Sequence, residues 1–203
     1  MSAAATLTPP RLSPTRPVSA KPAQPKRLIS LEKFLERYTS REDPFKYEWN
    51  NGIVEKSPRT MNRSQFLLLQ KLMRLFVGTK DFSNGNMLTS EVDIYLPLAN
   101  RTRRADIAYL TAEQMKSSRN GELSVCPFVI EVISKNDQIN EVGQKIREYF
   151  ENGVQVVWTV FPRLQKVEVY RSVRDVTICF DDDVCSAAPV LPDFEISVRE
   201  LFA

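Results

Sequence analysis

The sequence predicts an α/β domain in which helices flank a central sheet. Three observations predict it. Apolar stripes at helical spacing alternate along the chain with short β-prone runs. One of those runs, residues 128–134, is almost continuously apolar, the pattern of a strand buried on both faces. Two others are joined by Asn50, Asn51 and Gly52, residues that tolerate the positive φ angles of a tight hairpin. With 203 residues and 42% apolar content, the chain can bury one substantial core.

The first 27 residues hold six prolines and almost no large apolar side chain, so they read as a disordered, basic tail. Their acid-free, Ser/Thr/Arg-rich composition also resembles a transit peptide, but the prolines interrupt any amphipathic helix. A single domain is expected over 28–203. SLEKFLERY places Leu31, Phe34 and Leu35 at helical spacing, and KYEW-NNG-IVEK predicts a β-hairpin at about 46–56. A longer helix over 62–77 puts Phe66, Leu69, Leu72, Leu75 and Phe76 on one stripe. MLTSEVDIYLP, RADIAYL and FVIEVIS follow as strands. A helix at about 137–152 carries Ile139, Val142, Ile146, Tyr149 and Phe150 at core spacing and closes at Asn152-Gly153. VQVVWTV, KVEVYR and VTICF read as strands, and ISVRELF as a short terminal helix.

Charge and composition exclude several classes. The formal charge is +3, but five of the 28 basic residues lie in the tail; the 23 that remain face 25 acids, leaving residues 28–203 at −2. Such a body lacks the basic excess of a protein that binds nucleic acid by broad phosphate neutralisation, so contact with DNA would have to come from a local patch or the tail. No apolar run reaches the roughly 18 residues of a membrane span. Three cysteines, without an obvious secretory segment, suit a reducing, cytoplasmic setting. The absence of histidine eliminates Ser-His-Asp triads, histidine general bases and histidine-containing zinc sites.

Two acids sit where local physics disfavours them. Glu131 lies inside Phe128-Val129-Ile130-Glu131-Val132-Ile133, where a lone carboxylate costs several kcal/mol of desolvation unless compensated. Asp106 falls between Arg103-Arg104 and an apolar stretch, at the start of a strand expected to neighbour the first. Two strand carboxylates converging on one point form a hard-cation site of the kind Mg²⁺ accepts, with Mn²⁺ as a substitute. An ion pair between Glu131 and a core lysine or arginine is an equally weighted alternative. Lys145, on or beside the buried stripe of its helix, is the candidate to meet Glu131 or to position water and phosphate, and is preferred to Lys135. Ser134, Trp158, Tyr149 and the run Asp181-Asp182-Asp183 read as strand cap, core, core and solvated turn, outside the site.

The stretch PFVIEVISKNDQINEVGQKIREYFENGVQVVWTV resembles the signature of the Uma-two family of restriction endonucleases, a branch of the PD-(D/E)xK nuclease superfamily. YEWNNGIVEKSP and RRADIAYL add to the likeness, which covers about residues 30–202. The resemblance implies a restriction-endonuclease-like core with a central mixed β-sheet, and a Mg²⁺-dependent endonuclease that hydrolyses DNA. It implies Asp106 and Glu131 as metal ligands and Glu48 as a further recurring acid. Ala105 stands where the family has proline before the aspartate, Phe128 where a second Pro-Asp pair would put an acid, and no histidine occurs near Ser64. Ile133 occupies the place of the (D/E)xK lysine, and the resemblance implies that Lys145 of the following helix substitutes. Alanine at Asp106 or Glu131 is expected to abolish cleavage and leave the domain folded. The alternative is a catalytically inactive module of the same fold that binds nucleic acid or protein. Cleavage of two strands would suit a homodimer.

Overall fold

A computed structural model describes residues 28–58, 63–135 and 137–203 of the chain. The tail expected over residues 1–27 lies outside the described residues. The elements in order are α1 (Leu31–Tyr38), β1 (Phe45–Asn50), β2 (Ile53–Pro58), α2 (Arg63–Val77), α3 (Lys80–Ser83), β3 (Met87–Leu96), β4 (Arg101–Leu110) and α4 (Ala112–Ser118). They continue with β5 (Phe128–Val132), α5 (Ile139–Glu151), β6 (Val156–Phe161), β7 (Lys166–Ser172), β8 (Asp175–Phe180), β9 (Val184–Ala187), β10 (Leu191–Ser197) and α6 (Val198–Phe202). No helix among the described residues is long and apolar enough to cross a membrane.

Among the described residues, eight strands form one mixed sheet in the order β2-β1-β4-β5-β6-β7-β8, with β3 on the second edge of β4. The β5–β6 pair is parallel and α5 is its crossover, the connection that parallel neighbours require. The β1–β2 hairpin turns at Asn51 (φ 48°) and Gly52 (φ 89°), as the sequence predicts.

Strand β4 organises the site. It pairs with β3 along its length, whereas its other edge is shared: β1 touches it at Asn50–Arg101, and β5 pairs with it from Ile107 to Tyr109. Between those contacts the sheet forks.

The two faces of the sheet carry separate apolar clusters. On one, Leu68, Leu72 and Phe76 of α2 pack on Phe128, Ile130 and Trp158, closed by Phe194 of β10. On the other, Val142, Ile146 and Tyr149 of α5 cover Ala105, Ala108, Val129 and Val157. Alternation along β5 therefore sends Phe128, Ile130 and Val132 to the α2 side and Val129, with Glu131, toward α5. A third cluster, Phe34, Tyr47 and Trp49, seats α1 on the hairpin.

Several expectations change in detail. On α2, Leu72 and Phe76 of the expected stripe are buried and Leu69 and Leu75 pack against them, but Leu68 joins the buried row (Leu68, Leu72, Phe76 at i, i+4, i+8) and Phe66 is 47% exposed. Ile139 at the start of α5 is 75% exposed, since the first turn projects beyond the sheet. Strands β9 and β10 escape a periodicity reading: β9 has four residues, and the register of β10 shifts between Leu191 and Glu195, breaking alternation.

Candidate active site at the fork of the sheet

Asp106 lies in the middle of β4 rather than at its start. The β3–β4 ladder passes from Ser90–Ile107 to Val92–Ala105, skipping Glu91 and Asp106, and Glu91 adopts φ 53°. The side-chain parity switches at this step. Ala105 and Ala108 both join the α5 cluster, while Ile107 and Tyr109 join the other. That irregularity frees Asp106 from the alternation and turns it into the fork, where backbone donors otherwise lack strand partners.

The site acids satisfy those donors. Asp106 Oδ2 accepts from the Val132 N–H at 2.8 Å, and Glu48 Oε1 accepts from the Arg104 N–H at 3.0 Å. Glu131, in β5, has both carboxylate oxygens engaged: Oε2 accepts from Lys145 Nζ at 3.0 Å and Oε1 from the Tyr149 hydroxyl at 2.6 Å. Lys145 and Tyr149 stand four residues apart on α5 and so share the face that meets β5. Lys135, the competing lysine, is exposed at the end of the strand.

Sequence reasoning missed Lys46. Its Nζ lies 3.8 Å from Asp106 Oδ1 and 4.0 Å from Glu48 Oε1. The available signal was its spacing: it stands two residues before Glu48 and therefore on the same face of β1. Also missed was the buried ionic layer behind Glu48. Arg103 NH1 donates to Glu48 Oε2 at 3.0 Å and Arg103 Nε to Glu148 Oε2 at 2.8 Å, while Arg101 reaches Glu148 (3.3 Å) and Glu55 (2.8 Å). Tyr149, expected as plain core, is buried in its ring and donates its hydroxyl to Glu131. Trp158, by contrast, is wholly core.

The electrostatics separate the three acids. Burial and the neighbouring Glu131 carboxylate push Asp106 up to about 6, despite Lys46 and the Val132 N–H. Glu48 is also buried, but Lys46, Lys145, Arg103 and the Arg104 N–H outweigh that cost and hold it below its ordinary value. Lys145 is held well above the ordinary lysine value by Glu131, Glu48 and Asp106, which overcome its burial, so it stays a cation. These groups line a cleft of about 680 Å³ that also reaches Glu91, Ser134 and Thr159. Among the described residues no cluster of three or more metal-binding side chains occurs. The pair Asp106 and Glu131 nonetheless suits a hard cation. Both offer oxygen donors, the Glu131 charge adds to the burial cost of an ionised Asp106, and Mg²⁺ needs only one or two carboxylates.

Residues 31–199 match the Uma2 (Uma-two) family, described as "Putative restriction endonuclease". The chain belongs to this family. Among solved structures, this Uma-two chain is similar to one described as "a putative nuclease belonging to DUF820" from Anabaena variabilis ATCC 29413. The TM-score is 0.69 at 18% identity, and the match covers 86% of this chain and 97% of that one. At that identity the likeness shows the fold, a restriction-endonuclease-like α/β core. No curated protein matches the chain.

Proposed function

We propose that this Uma-two protein is a Mg²⁺-dependent endonuclease that hydrolyses DNA phosphodiester bonds in the cytoplasm. The observation that carries the reading is the convergence of Asp106, Glu131 and Lys145 at the base of one open cleft. Asp106 and Glu131 are the residues that would hold Mg²⁺, or Mn²⁺ in its place. A cation there would supply an acidified water and would offset the negative charge that develops on the phosphoryl oxygens. Lys145, held as a cation by the carboxylates around it, is the positive charge that would orient water or phosphate. Tyr149 and Lys145 together fix the Glu131 carboxylate. Both oxygens of Glu48 are engaged by Arg103 and the Arg104 N–H, so its part is to orient Lys46 and the arginine layer. Three free, buried thiols, Cys126, Cys179 and Cys185, accord with a reducing compartment.

The test is plasmid nicking with Mg²⁺, Mn²⁺ or chelator, wild type beside Asp106→Asn and Glu131→Gln, with calorimetric titration of the metals on the same samples. Metal binding and nicking lost together in both variants support the proposal. Full nicking by Glu131→Gln would sink the site assignment. One observation favours a second reading: Glu131 already has both oxygens occupied, as in a purely structural ion pair. A catalytically inactive module that binds nucleic acid or protein predicts no metal uptake and DNA association indifferent to chelator.

A further inference from the structure

Strand β8 is the last strand of the large sheet and, among the described residues, pairs only with β7. Its residues Val176, Ile178 and Phe180 share one face and are 42%, 52% and 46% exposed. Native edge strands are normally blunted by lysine, proline or a bulge. From Val176 to Phe180 there is no charge and no proline, and the register irregularity of the β7–β8 pair falls outside this stretch, at Tyr170/Ser172. The backbone of residues 176–179 takes part in no hydrogen bond outside the strand ladders among the described residues.

The ends of β8 carry opposite charge. Exposed Arg171 and Arg174 flank its start, against Asp175. Exposed Asp181, Asp182 and Asp183 follow its end, where Arg199 meets Asp182 at 2.7 Å and Asp181 at 3.8 Å. Lys166 of β7, opposite Phe180, is already paired with Glu168 at 2.7 Å, so three carboxylates against the Arg199 guanidinium leave that end acidic.

We infer that β8 is a self-association edge, pairing antiparallel with β8 of a second copy of this chain about a twofold axis normal to the sheet. Antiparallel pairing sets the basic end of each strand against the acidic end of the other, twice over by symmetry, whereas parallel pairing would set like against like. The same axis keeps both Val176-Ile178-Phe180 rows on one side of the joined sheet. Two half-exposed rows become one continuous apolar strip, and the backbone groups on the outer edge of each β8, without a ladder partner among the described residues, pair across the axis. The inference rests on this edge and is independent of the nuclease reading.

Sedimentation velocity of the full chain over a wide concentration range tests it. The wild type is expected to show a reversible monomer–dimer equilibrium that weakens with salt. Ile178→Lys brings two charges onto the joined strip and is expected to weaken the dimer at least about tenfold, with the thermal midpoint of the monomer unchanged because the site is half exposed. Arg174→Glu, at an exposed turn that tolerates the change, is expected to weaken it as well. A wild type that stays monomeric at the highest concentration, or a dimer that persists unchanged in both variants, would overturn the inference.

Discussion

Replacing Asp106 by asparagine separates the cost of an uncompensated carboxylate from its use. Asparagine keeps an oxygen acceptor for the Val132 N–H and removes the repulsion with Glu131. The carboxyl rises from 3.8 to about 6 on folding. At about 1.4 kcal/mol per pH unit, that difference bounds the penalty at about 3 kcal/mol. The side chain is 32% exposed, so screening by solvent reduces the expected effect to about 1–2 kcal/mol. The sign follows from which state ionises first. Below the unfolded value of 3.8 both states are protonated and Asp106 contributes nothing; as pH rises toward 6 the unfolded chain ionises first, and above 6 the folded state carries the whole penalty. Urea unfolding in chelator should therefore find Asp106→Asn more stable than wild type at pH 8 and equal to it at acid pH. Saturating Mg²⁺ should reverse the order at pH 8 by stabilising only the wild type, by about 2.7 kcal/mol at a hundred times Kd. An asparagine variant that is stabilised equally at both pH values, or destabilised at pH 8 in chelator, would refute this account of the site.

Glu131→Ala leaves Lys145 and the Tyr149 hydroxyl without their partner, so the expectation that alanine spares the fold gives way: a loss of about 3–5 kcal/mol is expected by denaturation. Glu131→Gln, which still accepts from Tyr149, should lose less and is the better probe of metal binding. Arg103→Ala removes the guanidinium shared by Glu48 and Glu148 but leaves Arg101 to both, with an expected cost of about 1–3 kcal/mol in urea unfolding. Tyr149→Phe removes one hydrogen bond to a buried carboxylate and should cost about 1–3 kcal/mol while weakening Mg²⁺ binding in the same titration. Leu72→Ala, at a fully buried point of α2 that does not line the cleft, should cost about 2–5 kcal/mol and leave metal affinity unchanged.

Local pattern determined most of the architecture. Asn51-Gly52 dictated the hairpin, the apolar run of 128–132 dictated a central strand, and Val142, Ile146 and Tyr149 dictated the face of α5, because these signals depend on backbone geometry within a few residues. A carboxylate inside an apolar strand marked Glu131 in the same way, and the position of Lys145 on its helix followed from the 3.6-residue repeat. What the sequence left open was every relation between elements distant in the chain. Lys46 meets Asp106 across 60 positions only because β1 and β5 divide one edge of β4. The turn of Asp106 into the fork depends on Glu91 of the neighbouring strand, which no alternation rule applied to β4 alone would reveal. Glu48 was marked by the resemblance, but the buried layer of Arg101, Arg103 and Glu148 around it had no signature in the sequence. Burial, not residue type, turns such groups from solvated side chains into mutually dependent ones, and burial is a property of the assembled sheet and helix.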